Sequence, residues 1–274
     1  MKITIKDINE MPSKNRFDFL ASNKDEVLKM KRSIIKIADV FEMPKIGNKA
    51  VSQPIIENEV DKLHVKVVAN TALWIDSQLD MLLPDCWKKS ITERPELIPH
   101  LHDHIRQIDA KVGEVTAIYG QFLTFADLGI KGIGQTQALI FETDILKEYN
   151  EMVFAQYKDG KINQHSISLQ YINLQIAIND KKQEKEFALW NQYLPIAINQ
   201  SKALESGYFF IVKECRIIEN SCVLFGANEI TPTLEVIEIS NSSEDLPQKA
   251  QINIEPQKVA LIYEQILNNI LTKI

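Results

Sequence analysis

One hydroxyl side chain, Ser166, is a candidate nucleophile within residues 163–180, whose pattern is typical of a long β-strand. Side chains alternate between the two faces of a strand, so Ser166 and Ser168 share the face opposite Ile167 and Leu169. A hydroxyl held on a rigid strand is well placed for nucleophilic attack if a general base reaches it. A surface serine on a half-exposed strand shows the same pattern, so the assignment depends on the residues that accompany it.

A carboxylate and another hydroxyl occupy one face of a second predicted strand, within residues 207–228. Glu219 and Ser221 share this face with Ile217. A carboxylate in so apolar a segment needs a partner, because burying a lone charge is costly. Glu219 therefore either pairs with a basic side chain such as Arg216 or belongs to a functional site.

Three of the five histidines, His100, His102 and His104, fall within five residues. On an extended segment all three side chains would project to the same side. An HxHxH pattern on a strand is able to hold a metal ion, and one strand-borne histidine is able to act as a general base. The metal alternative has no second cluster of ligands in the sequence, where His165 is the only further candidate nearby.

The alternation of apolar residues changes phase within the Ser166 strand. Up to Tyr171 the apolar residues lie at odd positions, whereas Leu174, Ile176 and Ile178 lie at even positions. A strand repeats every two residues, so this change predicts a bulge or sharp bend near Tyr171 and Ile172.

Four segments occur in a defined order along the chain. They are WIDSQLDMLLPDCWKKSITE at 74–93, LHDH at 101–104 with Val112 and Gly113 after it, HSISLQY at 165–171, and IIENSCVLFGAN at 217–228. Together they resemble the prohead (head-maturation) proteases of tailed phages, over roughly residues 60–235. Those enzymes are serine proteases similar in fold to the herpesvirus assembly proteases. The resemblance therefore implies a small, mostly antiparallel β-barrel flanked by helices.

The resemblance also implies a catalytic triad of His104, Ser166 and Glu219. Ser166 would attack a peptide carbonyl, His104 would act as general base and then as general acid, and Glu219 would hold the other imidazole nitrogen. The assembly proteases use a second histidine as third member, which leaves His102 as an alternative for that role and as the second choice for the base. The phage family usually has glycine two residues after the serine, where this chain has Ser168.

Composition places the chain among ordinary globular proteins that act in a reducing compartment. Its 274 residues are 45% hydrophobic and carry a net charge of −6, which argues against a nucleic-acid partner. The three cysteines lack CxxC spacing, so neither a disulfide scaffold nor a cysteine zinc site is predicted. No transmembrane segment or signal peptide is predicted. With the resemblance, this predicts a protein of the host cytoplasm, inside the assembling procapsid, with no membrane partner, bound metal or cofactor.

Three regions are predicted along the chain: an N-terminal arm and helix at 1–45, a serine protease β-barrel domain at 46–239, and a linker with an amphipathic helix at 240–274. The fold class is α+β, a small and mostly antiparallel β-barrel flanked by helices, with helical N- and C-terminal appendages. The C-terminal helix follows the polar run SNSSEDLPQ and places its apolar residues in one stripe. Such a helix docks on its own domain or binds a partner.

The N-terminal arm carries a helical pattern between Ser22 and Pro44, in which Val27 and Leu28 belong to the apolar positions. This helix is predicted to dock on the body of the protein. Its basic side chains are predicted to form a solvated face: Lys29, Lys31, Arg32 and Lys36.

Three function classes are compatible with these patterns. The first is a phage capsid-maturation serine endopeptidase that cleaves scaffold and capsid-protein extensions, and itself, within the procapsid. Its partners would be the major capsid protein and the scaffold, and it would form a homodimer or a higher homo-oligomer. The second is a catalytically inactive β-barrel that binds scaffold or capsid protein. The third is a metal-dependent hydrolase built on His100, His102 and His104.

Overall fold

The computed structural model describes residues 5–35 and 60–239. The chain divides into two compact units, Met1–Ser240 and Asn241–Ile274, and every described residue belongs to the first. The predicted C-terminal linker and amphipathic helix therefore lie outside the described residues. Of the helices in the described ranges, none combines the length and the apolar character needed to span a bilayer.

Helices and strands are mixed along the chain, as in α+β proteins. The helices are α1 (Ile5–Glu10), α2 (Ser13–Ser33), α3 (Lys88–Glu93), α4 (Glu151–Lys158), α5 (Glu184–Tyr193) and α6 (Gln200–Ser206). The strands are β1 (Lys62–Thr71), β2 (Asp80–Leu82), β3 (His100–His102), β4 (Lys111–Thr124), β5 (Gln135–Leu146), β6 (His165–Ile178), β7 (Tyr208–Cys222) and β8 (Thr233–Ile239).

All eight strands belong to one large, mostly antiparallel sheet. β6 pairs with β7 along its whole length, whereas β2 and β3 lie parallel to separate parts of β7. From β3 the order continues through β4, β5, β1 and β8. The mixture of helices with a mostly antiparallel sheet confirms the predicted α+β class. The strand order does not close on itself within the described residues, so the predicted closed barrel is not confirmed.

β6 is irregular where its apolar pattern changes phase. Its register against β7 shifts between Tyr171 and Asn173 and again between Asn173 and Leu174. Ile172 and Asn173 are exposed, while Tyr171 and Leu174 on either side are buried. The predicted bulge near Tyr171 and Ile172 is confirmed, and it lets both halves of the strand bury their apolar residues.

The main apolar core is built from β1, β5, β6 and β7 together with side chains from the helices. Its largest fully buried side chains include Trp87, Tyr157, Phe141, Tyr208, Phe209 and Phe210. Burial of a large apolar side chain contributes roughly 1.5–3 kcal/mol before conformational entropy is counted. This packing holds rigid the strands that carry the candidate site.

Helix α2 is part of the packed body and contains a break at Asn23, where φ is −119° and ψ is 18°. The helix predicted from Ser22 corresponds to the segment after this break, and a further helical segment from Ser13 precedes it. Leu20 before the break and Val27 and Leu28 after it are buried in the main core. The chain is extended at Ile34, where the sequence pattern predicted further helix. Docking of the helix on the body is therefore observed, whereas a separate N-terminal helical appendage is not confirmed.

Lys31 on α2 is buried, although the sequence predicted a solvated position. Its ammonium group is ion-paired with Asp80 on β2 and lies 3.7 Å from the centroid of the Phe210 ring. A cation is tolerated in such a place because a carboxylate and an aromatic face replace part of its hydration. The predicted solvated face is wrong at this position, while Lys29 and Arg32 are exposed.

Candidate active site

A tight turn after β3 carries His104 back over the sheet. β3 lies parallel to β7, with His102 beside Cys222. Asp103 and His104 then adopt positive φ angles of 49° and 57°. This conformation costs of order 1–3 kcal/mol for a residue other than glycine, so surrounding contacts must stabilise it. Because of this turn the three clustered histidines do not project to the same side, and that prediction is wrong.

Cross-strand pairing places four polar side chains on one face of β6 and β7. Ser166 lies opposite Ser221, and Ser168 lies opposite Glu219. Directly opposite residues of antiparallel strands share a face. All four residues are at most 5% exposed. Their polar atoms therefore depend on neighbouring protein groups for hydrogen bonds.

His104 and Glu219 form a short, buried pair on this face. Nδ1 of His104 lies 2.6 Å from Oε1 of Glu219. The carboxylate accepts the Nδ1 proton, which leaves the lone pair of the ring on Nε2. Nε2 is itself buried and has no hydrogen-bond partner among the described residues. The imidazole thus has the tautomer and the available nitrogen that a general base needs.

Two serine hydroxyls contact this pair. Ser221 Oγ donates to Oε2 of Glu219 at 2.7 Å and accepts the backbone N–H of His104 at 3.1 Å. Ser168 Oγ lies 3.2 Å from Nδ1 of His104. Nδ1 has one hydrogen and the Glu219 oxygen is the closer, charged acceptor, so the Ser168 contact is the weaker of the two. Strand alternation predicted the faces of these serines but could not predict that they contact His104.

Ser166 occupies the same face without a hydrogen bond to the histidine. Among the described residues, the His104 ring is within hydrogen-bond distance of Glu219 and Ser168, and no hydrogen bond joins Ser166 Oγ to Nε2. Catalytic hydrogen bonds are often long in unliganded enzymes and tighten when substrate binds. The structure therefore brings His104 and Glu219 into contact and places Ser166 on their face of the sheet, opposite Ser221.

The other two clustered histidines have different surroundings. His102 is partly exposed, and its Nδ1 lies 3.4 Å from an oxygen of the neighbouring Asp103. Glu219, not His102, is the residue bonded to the His104 ring. Within residues 5–35 and 60–239, no group of three or more histidine, cysteine, aspartate or glutamate side chains is arranged to hold a metal ion.

His100 and His165 meet on the opposite face of the sheet, around the hydroxyl of Tyr157. That hydroxyl lies 3.0 Å from His165 Nε2 and 3.3 Å from His100 Nε2. His165 Nδ1 lies 3.0 Å from the Thr231 carbonyl oxygen, and His100 Nδ1 lies 3.0 Å from the Thr143 hydroxyl. Burial lowers the pKa of His165 to about 4 and lowers the pKa of His100 well below its usual range. Both rings are therefore neutral at pH 7.

Gly113 has a packing role beside this second cluster. It pairs with His100 of β3 and with Ile145 of β5. A Cβ atom at this position would lie 2.1 Å from the carbonyl oxygen of Asp144. Only glycine therefore allows β4 to approach β5 this closely, which explains why a glycine follows the histidine segment.

Two open clefts flank α3, with volumes of about 490 and 310 Å³. The described residues that line them include Lys88 and Thr92, and none of these lining residues is His104, Ser166 or Glu219. The candidate site is therefore separate from both clefts. No protein-family model, curated protein or solved structure matches the chain.

Proposed function

We propose that the protein is a serine endopeptidase of the Ser-His-Glu type. The observation that carries this proposal is the 2.6 Å contact between His104 Nδ1 and Glu219 Oε1, together with an Nε2 that has no partner among the described residues. A histidine oriented by a carboxylate, with its other nitrogen available beside a hydroxyl-bearing strand, is the arrangement that activates a serine. Ser166 is the proposed nucleophile, His104 the general base and Glu219 the residue that orients it.

In the proposed reaction, Ser166 Oγ attacks the peptide carbonyl carbon while its proton passes to His104 Nε2. Glu219 stabilises the resulting imidazolium, and their low exposure strengthens this charge interaction. The imidazolium then protonates the leaving amine as the C–N bond breaks, which leaves an acyl-enzyme. A water molecule that gives its proton to the same nitrogen hydrolyses the ester and restores the Ser166 hydroxyl.

The proposed substrate is a polypeptide. Small-molecule sites are usually concave, and the two clefts beside α3 are lined by other residues. Ser166 lies on β6, which pairs with β7 alone among the described strands, so the other edge of β6 is able to pair with an extended chain. With the sequence resemblance, this supports cleavage of scaffold and capsid-protein extensions in a procapsid, where the protease would also cleave itself.

A catalytically inactive capsid-binding protein is the second candidate. Two observations favour it: no hydrogen bond joins Ser166 Oγ to His104 among the described residues, and Ser168 replaces the usual glycine and contacts the His104 ring. Such a protein would keep the fold and bind scaffold or capsid protein without cleaving it.

Serine-directed labelling tests the proposal. The intact protein is treated with a fluorophosphonate, and the labelled residue is located by mass spectrometry. We expect a covalent adduct on Ser166 that is lost in Ser166→Ala, while the variant stays folded because the substitution removes one small hydroxyl that makes no hydrogen bond to the His104 ring. Ser168→Ala is the matched control, since it removes a hydroxyl from the same face of the same strand.

The control should still be labelled on Ser166. Labelling of Ser168 instead would reassign the nucleophile, and absence of labelling in the folded wild-type protein would favour the inactive alternative. Co-expression with the capsid and scaffold proteins of the same virus then tests the substrate. Ser166→Ala should leave both unprocessed.

A further inference from the structure

A closed ring of hydrogen bonds joins the backbone and the side chain of His104. The backbone N–H of His104 donates to Ser221 Oγ, and the Ser221 hydroxyl donates to Oε2 of Glu219. Oε1 of the same carboxylate accepts the proton on His104 Nδ1. The Ser221 hydroxyl donates its single proton to Glu219 and accepts the backbone N–H of His104 with one lone pair, so the direction of each hydrogen bond in the ring is fixed.

Ser221 also holds the turn that delivers the histidine. Asp103 and His104 both have positive φ angles, which side chains other than glycine seldom adopt. The N–H of Asp103 is bonded to the Cys222 carbonyl oxygen, and the N–H of His104 is bonded to the Ser221 hydroxyl. A substitution that removes the Ser221 hydroxyl removes only the second of these two bonds.

We propose that Ser221 is a positioning residue, which fixes both the turn bearing His104 and the carboxylate rotamer of Glu219. This inference rests on the proposed serine protease function. Ser221 is fully buried and its proton is committed to Glu219, so it is not itself a nucleophile. Its effect reaches the reaction through the placement of His104 Nε2 relative to Ser166. An error of about 1 Å in such a placement costs on the order of 10²-fold in rate.

Ser221→Ala tests the proposal through the separate effects on kcat and KM. We expect kcat for peptide cleavage to fall by about 10–100-fold with KM within about threefold, because the bound substrate contacts neither lost hydrogen bond. Ser90→Ala is the matched control. The Ser90 hydroxyl is also buried and accepts the backbone N–H of Ile217, on the same strand as Glu219, at 2.9 Å. It should leave kcat within about threefold.

Proton NMR of the His104 ring gives a readout that does not depend on turnover. In the wild-type protein the Nδ1 proton, shielded from solvent and bonded to Glu219, should give a slowly exchanging downfield resonance. Ser221→Ala should move or broaden it, Ser90→Ala should not, and Ser221→Thr, which keeps the hydroxyl, should restore it.

An unchanged resonance and a kcat within threefold of wild type in folded Ser221→Ala would overturn the positioning role. A fall in kcat of equal size in Ser90→Ala would also overturn it, because general loosening of β7 would then explain the effect. Failure of the proposed function is a different result: no cleavage and no labelling of Ser166 in the wild-type protein, whatever the resonance does.

Discussion

The two faces of β3, β7 and β6 carry histidines of opposite character. On one face His104 is bonded to a buried carboxylate and keeps one ring nitrogen without a partner among the described residues. On the other face both nitrogens of His100 and of His165 are bonded to uncharged groups. The same short stretch of sheet therefore holds one histidine suited to proton transfer and two suited to a fixed, neutral state.

The hydrogen bonds around His100 and His165 form one chain with defined proton positions. His165 Nδ1 donates to the Thr231 carbonyl, so its Nε2 accepts the Tyr157 proton. Tyr157 oxygen then accepts from His100 Nε2, and His100 Nδ1 accepts from Thr143. Every group in this chain is satisfied when both rings are neutral. An added proton is disfavoured there because burial removes the solvation of a charged ring, which lowers the pKa of both histidines.

The bonding partner of each histidine, and not the histidine itself, decides its chemistry. All three rings are largely buried. The His104 ring lies beside the carboxylate of Glu219, which accepts its Nδ1 proton, whereas His100 and His165 are bonded to threonine and tyrosine groups that carry no charge.

Glu219→Gln should reduce the rate of peptide cleavage more than a change at Thr143 or Ser168. The substitution keeps the shape of the side chain but removes the charge that holds the His104 tautomer and stabilises the imidazolium, so we expect kcat to fall by about 10³–10⁴-fold. Thr143→Val is the matched change on the other face, where it removes the hydroxyl bonded to His100. It should lower stability by about 1–3 kcal/mol and leave kcat within about threefold.

Rates of peptide cleavage and of fluorophosphonate labelling, with chemical denaturation of each variant, check this pair of outcomes. A Glu219→Gln enzyme that keeps more than a tenth of its kcat would show that the carboxylate is structural. A loss of kcat of the same size in Thr143→Val would show that the hydrogen bonds around His100 also affect catalysis at His104.

The pH dependence of stability should report the second cluster. Burial lowers the pKa of His165 to about 4 in the folded protein, against about 6.5 when unfolded. Between these values the unfolded state binds the proton and the folded state does not, so stability falls as pH falls, by about 1.4 kcal/mol per pH unit for this residue. Above pH 6.5 and below pH 4 His165 contributes no slope.

His165→Asn removes this titration while keeping an N–H near the Thr231 carbonyl. Urea unfolding at pH 7.5 and at pH 5 should show a smaller loss of stability on acidification in the variant than in the wild-type protein. Because burial also lowers the pKa of His100, the variant should still lose some stability as the pH falls. Identical slopes in the two proteins would mean that His165 takes up its proton as readily in the folded state.

Short-range periodicity predicted the parts of the site that lie within strands. Alternation placed Ser166 with Ser168 and Glu219 with Ser221, and the phase change located the bulge in β6. These predictions succeed because a strand fixes side-chain direction residue by residue. Which strands become neighbours is a property of the whole sheet. Only the family resemblance therefore suggested that Ser166 on β6 and Glu219 on β7 lie on the same face of the sheet.

The turn at His104 and the burial of Lys31 could not be predicted in this way. HLHDH has the alternation of a continuing strand, yet two positive φ angles end the strand after His102. Contacts from β7 hold that turn, and they are remote in sequence. Lys31 looks solvated by composition, but its partner Asp80 lies on a distant strand. Both cases depend on tertiary contacts that override local preference.

Ser168→Gly should change peptide cleavage only slightly, although Ser168 lies beside the His104 ring. Ser168 Oγ makes the longer, 3.2 Å contact with His104 Nδ1, whose proton is directed to Glu219 at 2.6 Å. Losing that contact should change kcat/KM by less than about fivefold. Glycine within a strand should lower stability by roughly 0.5–1 kcal/mol, because the unfolded chain gains freedom.

Thermal unfolding and peptide cleavage of Ser168→Gly, with Ser168→Ala beside it, separate two roles for this residue. If both variants cleave at nearly the wild-type rate, the hydroxyl is a minor neighbour of the His104–Glu219 pair. If glycine alone raises kcat/KM by more than tenfold, the Ser168 side chain obstructs the approach of the substrate backbone that the resemblance implies for glycine here. That result would mean that the wild-type chain is a weakened protease, and it would favour a binding role over turnover.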